Sequence, residues 1–166
     1  ITALFEELTA KDFERHIQVN LLGTAYTCKA AWPHMKAKGY GRIVNIASGA
    51  IAGGAGVAAY AASKGGIFSL TRSLASEGAP HGIKANSVNP GGFSRLVMAT
   101  QQEGSYIYEL AKSCPAELSS PVVAYLSHRD CPVTGECIDA VAGMAKRVYL
   151  AQTEGFMDPG LTIDSL

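Results

Sequence analysis

The chain of 166 residues lacks several things, and each absence narrows what it does. Neither sign of charge dominates, with 14 Lys and Arg against 14 Asp and Glu. There is no basic stripe and no charged tail, so nothing argues for nucleic acid as a partner. Apolar runs fall far short of the roughly 18 residues that span a bilayer, and no stretch resembles a signal peptide, so no membrane contact is expected. Cysteine is scarce and scattered. Cys28, Cys114, Cys131 and Cys137 form no C-x-x-C and no Cys/His ligand cluster, so no metal is expected. Cys131 and Cys137 admit reading as a metal or disulfide pair, but free thiols in a cytoplasmic protein are the better expectation. Internal repeats and low-complexity segments are missing as well.

What is present is an ordinary globular composition, 48% hydrophobic and 17% charged, able to bury a sizeable core. The length fits one domain, expected over residues 1–150, with 151–166 as a tail of turn-forming residues.

Thr9 is placed to cap a helix, with Asp12 three residues on as an acidic form of the capping box. Phe13, Ile17 and Leu21 give that helix an apolar stripe. It is expected to run past Ala30, to be disturbed near Pro33 and to stop around Gly39 and Gly41. Arg42 to Ala47 reads as a buried strand, and a Gly/Ala loop follows from Ser48 to Ala58. A second long helix is expected from Ala59 to Glu77, and a second strand from Ile83 to Val88, broken by Asn89-Pro90-Gly91-Gly92. Residues 93–114 are weakly patterned and are expected to be mobile or helical. Ser120-Pro121 opens a third helix through about Ser127. A last strand is expected from Glu136 to Ala140. Helices alternating with strands imply parallel strands with crossover helices, an α/β fold. Ligands bind such sheets at the carboxyl ends of strands, which here are Ser48 and Asn89 to Phe93.

Tyr60 and Lys64 lie four apart on the second long helix, which puts both side chains on one face about 6 Å apart at Cβ. A phenol is ordinarily too weak an acid for proton transfer near neutrality, and a nearby ammonium favours the phenolate. Taken alone, such a pair is usually surface decoration. Ser48 strengthens it, because a hydroxyl at a strand end, followed by a Gly-rich loop, can donate to a substrate oxygen that gains negative charge. Asn20 sits inside a helix, where Asn has poor propensity; it either bends the helix or holds a water or proton path. Pro90-Gly91-Gly92 either lets a ligand approach the backbone or is a plain turn. His16, His34, His81 and His128 share no spacing and are expected to be surface or capping residues. Trp32, Tyr26 and Phe68 are expected to pack between helices or subunits rather than face a cofactor.

The block NIAS…YAASK resembles the active-site segment of short-chain dehydrogenases/reductases. VNLLGT, IKANSVNPGG and VTGECIDA are similar to that family's Asn-bearing helix, Pro-Gly cofactor strand and last strand, in the same order. The resemblance runs from about residue 5 to 140 and implies the later half of a Rossmann-like doubly wound parallel sheet. It implies Tyr60 as catalytic acid/base, Lys64 as its partner and as a ligand of the nicotinamide ribose, Ser48 at the substrate oxygen and Asn20 in a water-mediated relay. It also implies that Ile46, Tyr60, Lys64, Pro90, Gly91, Gly92, Phe93 and Ser94 contact NAD or NADP, with NAD slightly favoured. The implied substrate is a small-molecule alcohol or ketone, and the implied assembly a homodimer or homotetramer.

A narrower resemblance rests on LASEG, Ser94-Arg95-Leu96 and SSPVVAYLSHRDCPVTGE. These are similar to the hydroxyacyl-CoA dehydrogenase unit of peroxisomal multifunctional β-oxidation enzymes, which implies an acyl-CoA substrate. Two departures stand against the family pattern. The interval from Ser48 to Tyr60 is one residue short, and the Thr often found after Pro-Gly is absent, with Ser94 and Arg95 in its area.

The family's Gly-rich phosphate fingerprint is not found, and the first residue is Ile1. The expectation is a piece of a longer enzyme. The alternatives are a chain completed by a separate N-terminal piece, and a non-catalytic remnant serving as an oligomerisation or binding module. A half sheet is expected to expose an open edge and to oligomerise or aggregate.

Overall fold

The computed structural model describes residues 2–155, 157, 159–160 and 162–163. Thr9 accepts from the Asp12 amide while the Asp12 carboxylate accepts from the Thr9 amide at 3.0 Å, so the capping box forms and opens helix α1 (Ala10–His16). The Thr9 hydroxyl also donates to that carboxylate at 2.6 Å, and this bond, followed by the one from the Thr9 amide, holds the carboxyl pKa below its ordinary value. The helix continues through a wider π-helical turn, Ile17–Leu22, into α2 (Gly23–Lys38). Pro33 is accommodated within α2, and Gly39 ends it in the left-handed conformation.

Strand β1 (Gly41–Ile46) leads through a short 3₁₀ turn, Gly49–Ala52, to helix α3 (Ala58–Gly78). Strand β2 (Ile83–Gly91) is longer than expected, because Asn89 and Pro90 continue it by pairing with the next strand. Pro90 is tolerated there because β1 pairs only as far as Val88, so no neighbour on that side asks for its missing N–H. The segment expected to be mobile or helical holds two short helices, α4 (Arg95–Thr100) and α5 (Tyr106–Lys112). Helix α6 (Ser120–Ser127) carries proline in its first turn, as expected.

Strand β3 (Cys137–Val141) is not the last one. Ala142 and Gly143, both at positive φ, turn the chain into β4 (Met144–Val148), which pairs antiparallel with β3. β4 carries Lys146 and Arg147 and is largely exposed, so it lacks the apolar pattern that marks a buried strand. The sheet order is β1-β2-β3-β4, with the first three strands parallel.

Helices cover both faces. Cys28, Ile43, Ala75, Ile83 and Ala85 form one core layer, beneath Trp32, Met35 and Leu74 of α2 and α3. Val88, Leu126, Cys131 and Ala140 form the other, with Val122 and Val123 of α6. Asn45 is buried on the face of the first layer and satisfied, donating to Thr71 Oγ1 at 2.9 Å and accepting from Cys28 Sγ. All four cysteines are buried and free. Phe68 is buried and Tyr26 exposed. Among the described residues no helix is long and apolar enough to cross a membrane. The outer edge of β1 pairs with no described strand. Part of the 151–166 tail lies outside the described residues.

Candidate active site

Helix α3 and the π-helical turn form the site because they pack closely. A Cβ on Gly66 would meet Leu21 Cδ2 at 2.7 Å, so the bare glycine lets the turn seat against α3. Asn20 donates its side-chain amide to Ser63 Oγ at 2.9 Å, and Ser63 Oγ donates to the Tyr60 carbonyl at 2.7 Å. A hydroxyl has one proton, so these two bonds fix the direction of the amide.

Tyr60 and Lys64 share a face of α3, with Lys64 Nζ 5.7 Å from the centre of the Tyr60 ring. The ammonium donates to the Ile46 carbonyl at 2.8 Å, tying α3 to the carboxyl end of β1. Burial pushes the Lys64 pKa down. Ser48 follows β1 and caps the 3₁₀ turn, accepting from the Ala50 amide at 3.2 Å. Its own proton is not used in that bond and remains available to donate.

Two cavities flank this line of residues. One, of about 620 Å³, is lined by Tyr60, His16, Asn20 and Arg15 together with apolar Val19, Val57 and Leu96. The other, of about 470 Å³, is lined by Lys64, Ile46, Asn20, Asn45 and the small residues Gly23 and Thr24. Asn20 lines both, as does Val19, so it borders the cavity of the phenol and that of the ammonium. Asn20, Tyr60, Lys64 and Ile46 are therefore brought together.

The residues after β2 are engaged differently. Gly91 and Gly92 are required by packing: a Cβ on Gly92 would meet the Ala116 Cα at 2.6 Å, and one on Gly91 would meet Val141 at 2.6 Å. Pro90 and Gly91 belong to β2 rather than to a plain turn, and at both glycines the close backbone approach is to the protein itself. Phe93 bridges to Pro115 and meets the Tyr108 ring edge-on at 5.3 Å. Ser94 caps α4 by accepting from the Val97 amide, and Pro90 is exposed.

His16 corrects an expectation. It is half-buried, not a surface residue, and meets the Tyr60 ring edge-on at 5.8 Å. Its Nδ1 lies 3.4 Å from Asn20 Nδ2. The spacing of four from His16 to Asn20 was the sequence signal that could have found it.

Residues 1–105 match the family pattern described as short chain dehydrogenase. The chain is 32% identical over 152 residues to the peroxisomal hydratase-dehydrogenase-epimerase of Saccharomyces cerevisiae, covering 91% of this chain and 16% of that protein. It superposes on full-length peroxisomal multifunctional enzyme type 2 from Drosophila melanogaster with TM-score 0.85 and 29% identity, covering 99% of this chain and 30% of that one. Gluconate 5-dehydrogenase from Burkholderia cenocepacia J2315, solved with NADP and tartrate, superposes with TM-score 0.78 and 26% identity, covering 86% of this chain and 60% of that one. The chain thus spans less than two thirds of each of these proteins. With its strands and helices in the Rossmann-like order and its first 105 residues matching throughout, the chain belongs to the short chain dehydrogenase family.

Proposed function

We propose that this chain supplies the proton-transfer half of an NAD(P)-dependent oxidoreductase that interconverts a secondary alcohol and a ketone. The observation that carries the reading is the line Tyr60, Asn20, Lys64, with Asn20 lining the cavities on both sides. In the oxidising direction the Tyr60 phenolate takes the hydroxyl proton of the alcohol. In the reducing direction the phenol returns it to the ketone oxygen. The Ser48 hydroxyl donates to that oxygen as negative charge builds on it. Asn20 carries a water-mediated path between the Tyr60 and Lys64 cavities.

The residues present fit the nicotinamide riboside end of the cofactor. Lys64 spends one of its three protons on the Ile46 carbonyl, which leaves two donors for ribose hydroxyls. Ile46, Pro90, Gly91, Gly92, Phe93 and Ser94 stand at the carboxyl ends of β1 and β2, where a doubly wound sheet binds such ligands. The nicotinamide, when bound, supplies the hydride chemistry. Nothing in these residues selects NAD over NADP.

The substrate reading is a 3-hydroxyacyl-CoA. It is supported by the likeness to proteins named hydratase-dehydrogenase-epimerase and multifunctional enzyme type 2. The apolar lining of the Tyr60 cavity by Val19, Val57 and Leu96 suits an acyl chain. Four unpaired thiols suit a reducing compartment, cytoplasmic or, as those relatives' names say of them, peroxisomal.

A second reading is favoured by the open outer edge of β1 and by the exposed Val19 and Ile46, which line one cavity with Val44 and Asn45 of that strand. Another segment or subunit covers this surface, and the chain then acts through assembly as a homodimer or homotetramer, without catalysis of its own. One assay separates the readings. A short 3-hydroxyacyl-CoA is offered with NAD⁺ or NADP⁺, and reduced nicotinamide is followed by absorbance. The chain is tested alone and joined behind the dinucleotide-binding half of a family member. The enzyme reading expects turnover in the joined form, and no turnover in either form contradicts it.

A further inference from the structure

We propose that His16 is a positioning residue of the proton-transfer site, a neutral imidazole whose Nδ1 holds the Asn20 amide beside Tyr60. The proposal rests on the reading of Tyr60 as the acid–base residue. It begins with the count of protons. Ser63 Oγ gives its proton to the Tyr60 carbonyl, so it must accept from Asn20 Nδ2 at 2.9 Å. The nitrogen of the amide is thereby assigned by its partners. Its second proton has His16 Nδ1 at 3.4 Å, and a proton there demands a lone pair on the imidazole. Nδ1 is therefore bare, and the single proton of the neutral ring sits on Nε2.

Nε2 is buried and has no partner among the described residues. A buried N–H without an acceptor costs stability, so the fold keeps His16 against its own interest. An apolar ring of the same size would fill the space without that cost. What the imidazole adds is the bare Nδ1 on Asn20 and the ring edge against Tyr60, at 5.8 Å and 69°. His16, Asn20 and Tyr60 also line one cavity, so each constrains the wall that a substrate meets.

The charged and titratable groups around His16 agree with a neutral ring. Burial is the main cause that holds its pKa below the ordinary value. Arg15 acts in the same direction, and Asp12, one turn earlier, opposes both. From α3 the facing group is Tyr60. Protonation turns Nδ1 into a donor set against the Asn20 donor. The amide then loses its second partner, and the relay residue is no longer held.

The tautomer is read directly by ¹⁵N NMR of the imidazole in the chain itself, with no cofactor needed. The proposal expects the Nε2–H form at neutral pH, and an Nδ1–H form overturns it. Two variants test the role in the active, joined form. His16→Phe keeps a ring and removes the unpaired N–H. It is expected to melt at the same temperature or higher, yet to lose about tenfold in kcat with little change in KM. His16→Asn returns an acceptor near the Nδ1 position without a titrating group. It is expected to recover most of kcat and to flatten the acid limb of the pH profile. A His16→Phe variant with full kcat overturns the proposal, as does a His16→Asn variant no better than His16→Phe. Full turnover by Tyr60→Phe instead removes the reading beneath it and leaves the tautomer result standing on its own.

Discussion

Asn20, on the π-helical turn, is bonded through its side chain to Ser63 on α3, at 2.9 Å and 43 positions away in sequence. The bond joins the first helical layer to the helix that carries Tyr60 and Lys64. Ser63 is fully buried, and its hydroxyl serves both Asn20 and the Tyr60 carbonyl. Ser63→Ala leaves the Asn20 amide short of a partner and is expected to cost about 1–3 kcal/mol in urea unfolding. Turnover of the joined enzyme falls with it, because Asn20 is no longer fixed between the two cavities.

Lys64 predicts a pH dependence with a definite sign. Burial holds its folded pKa below the ordinary 10.5. Between those two values the unfolded chain binds more protons than the folded one, so this group makes stability rise with pH across that window. Below the window the contribution is a constant penalty. Lys64→Met should therefore reduce the upward slope of stability between the folded value and 10.5, measured as the difference between the two proteins' melting curves across alkaline pH. An identical slope in both proteins contradicts the burial argument.

Gly92 predicts a packing effect. A methyl group there meets the Ala116 backbone, which cannot yield as a side-chain end does. Gly92→Ala is expected to cost about 1–3 kcal/mol by overpacking. The loss appears in thermal unfolding without any cofactor present. If the melting temperature is unchanged while cofactor affinity falls, the glycine serves the ligand and not the fold.

Much of the fold was legible because its signals are local. Thr9 and Asp12 form the capping box that their spacing implies. Ser120-Pro121 opens α6, and the β-branched run after Gly41 is a strand buried on alternate residues. What was not legible depends on pairing at long range. Asn89 and Pro90 look like a strand break, yet they continue β2 because β3 lies alongside. Strand β4 has no apolar face and exists through its two-residue turn and its ladder with β3. In the site, Tyr60 and Lys64 were legible from helical spacing and Asn20 from its poor fit to a helix. His16 was legible only as the neighbour of Asn20 one turn away, while its contact with Tyr60, across 44 positions, lies beyond any spacing rule.

Tyr60 tests the account most directly. Tyr60→Phe keeps the ring that His16 meets edge-on and removes the proton-transferring hydroxyl. The decisive measurement is kcat for alcohol oxidation by the joined enzyme with Tyr60 or Phe, at matched cofactor affinity and melting temperature. The account predicts a fall of about 10²–10⁴-fold, the usual contribution of a positioned acid or base. Equal turnover by the two proteins contradicts it.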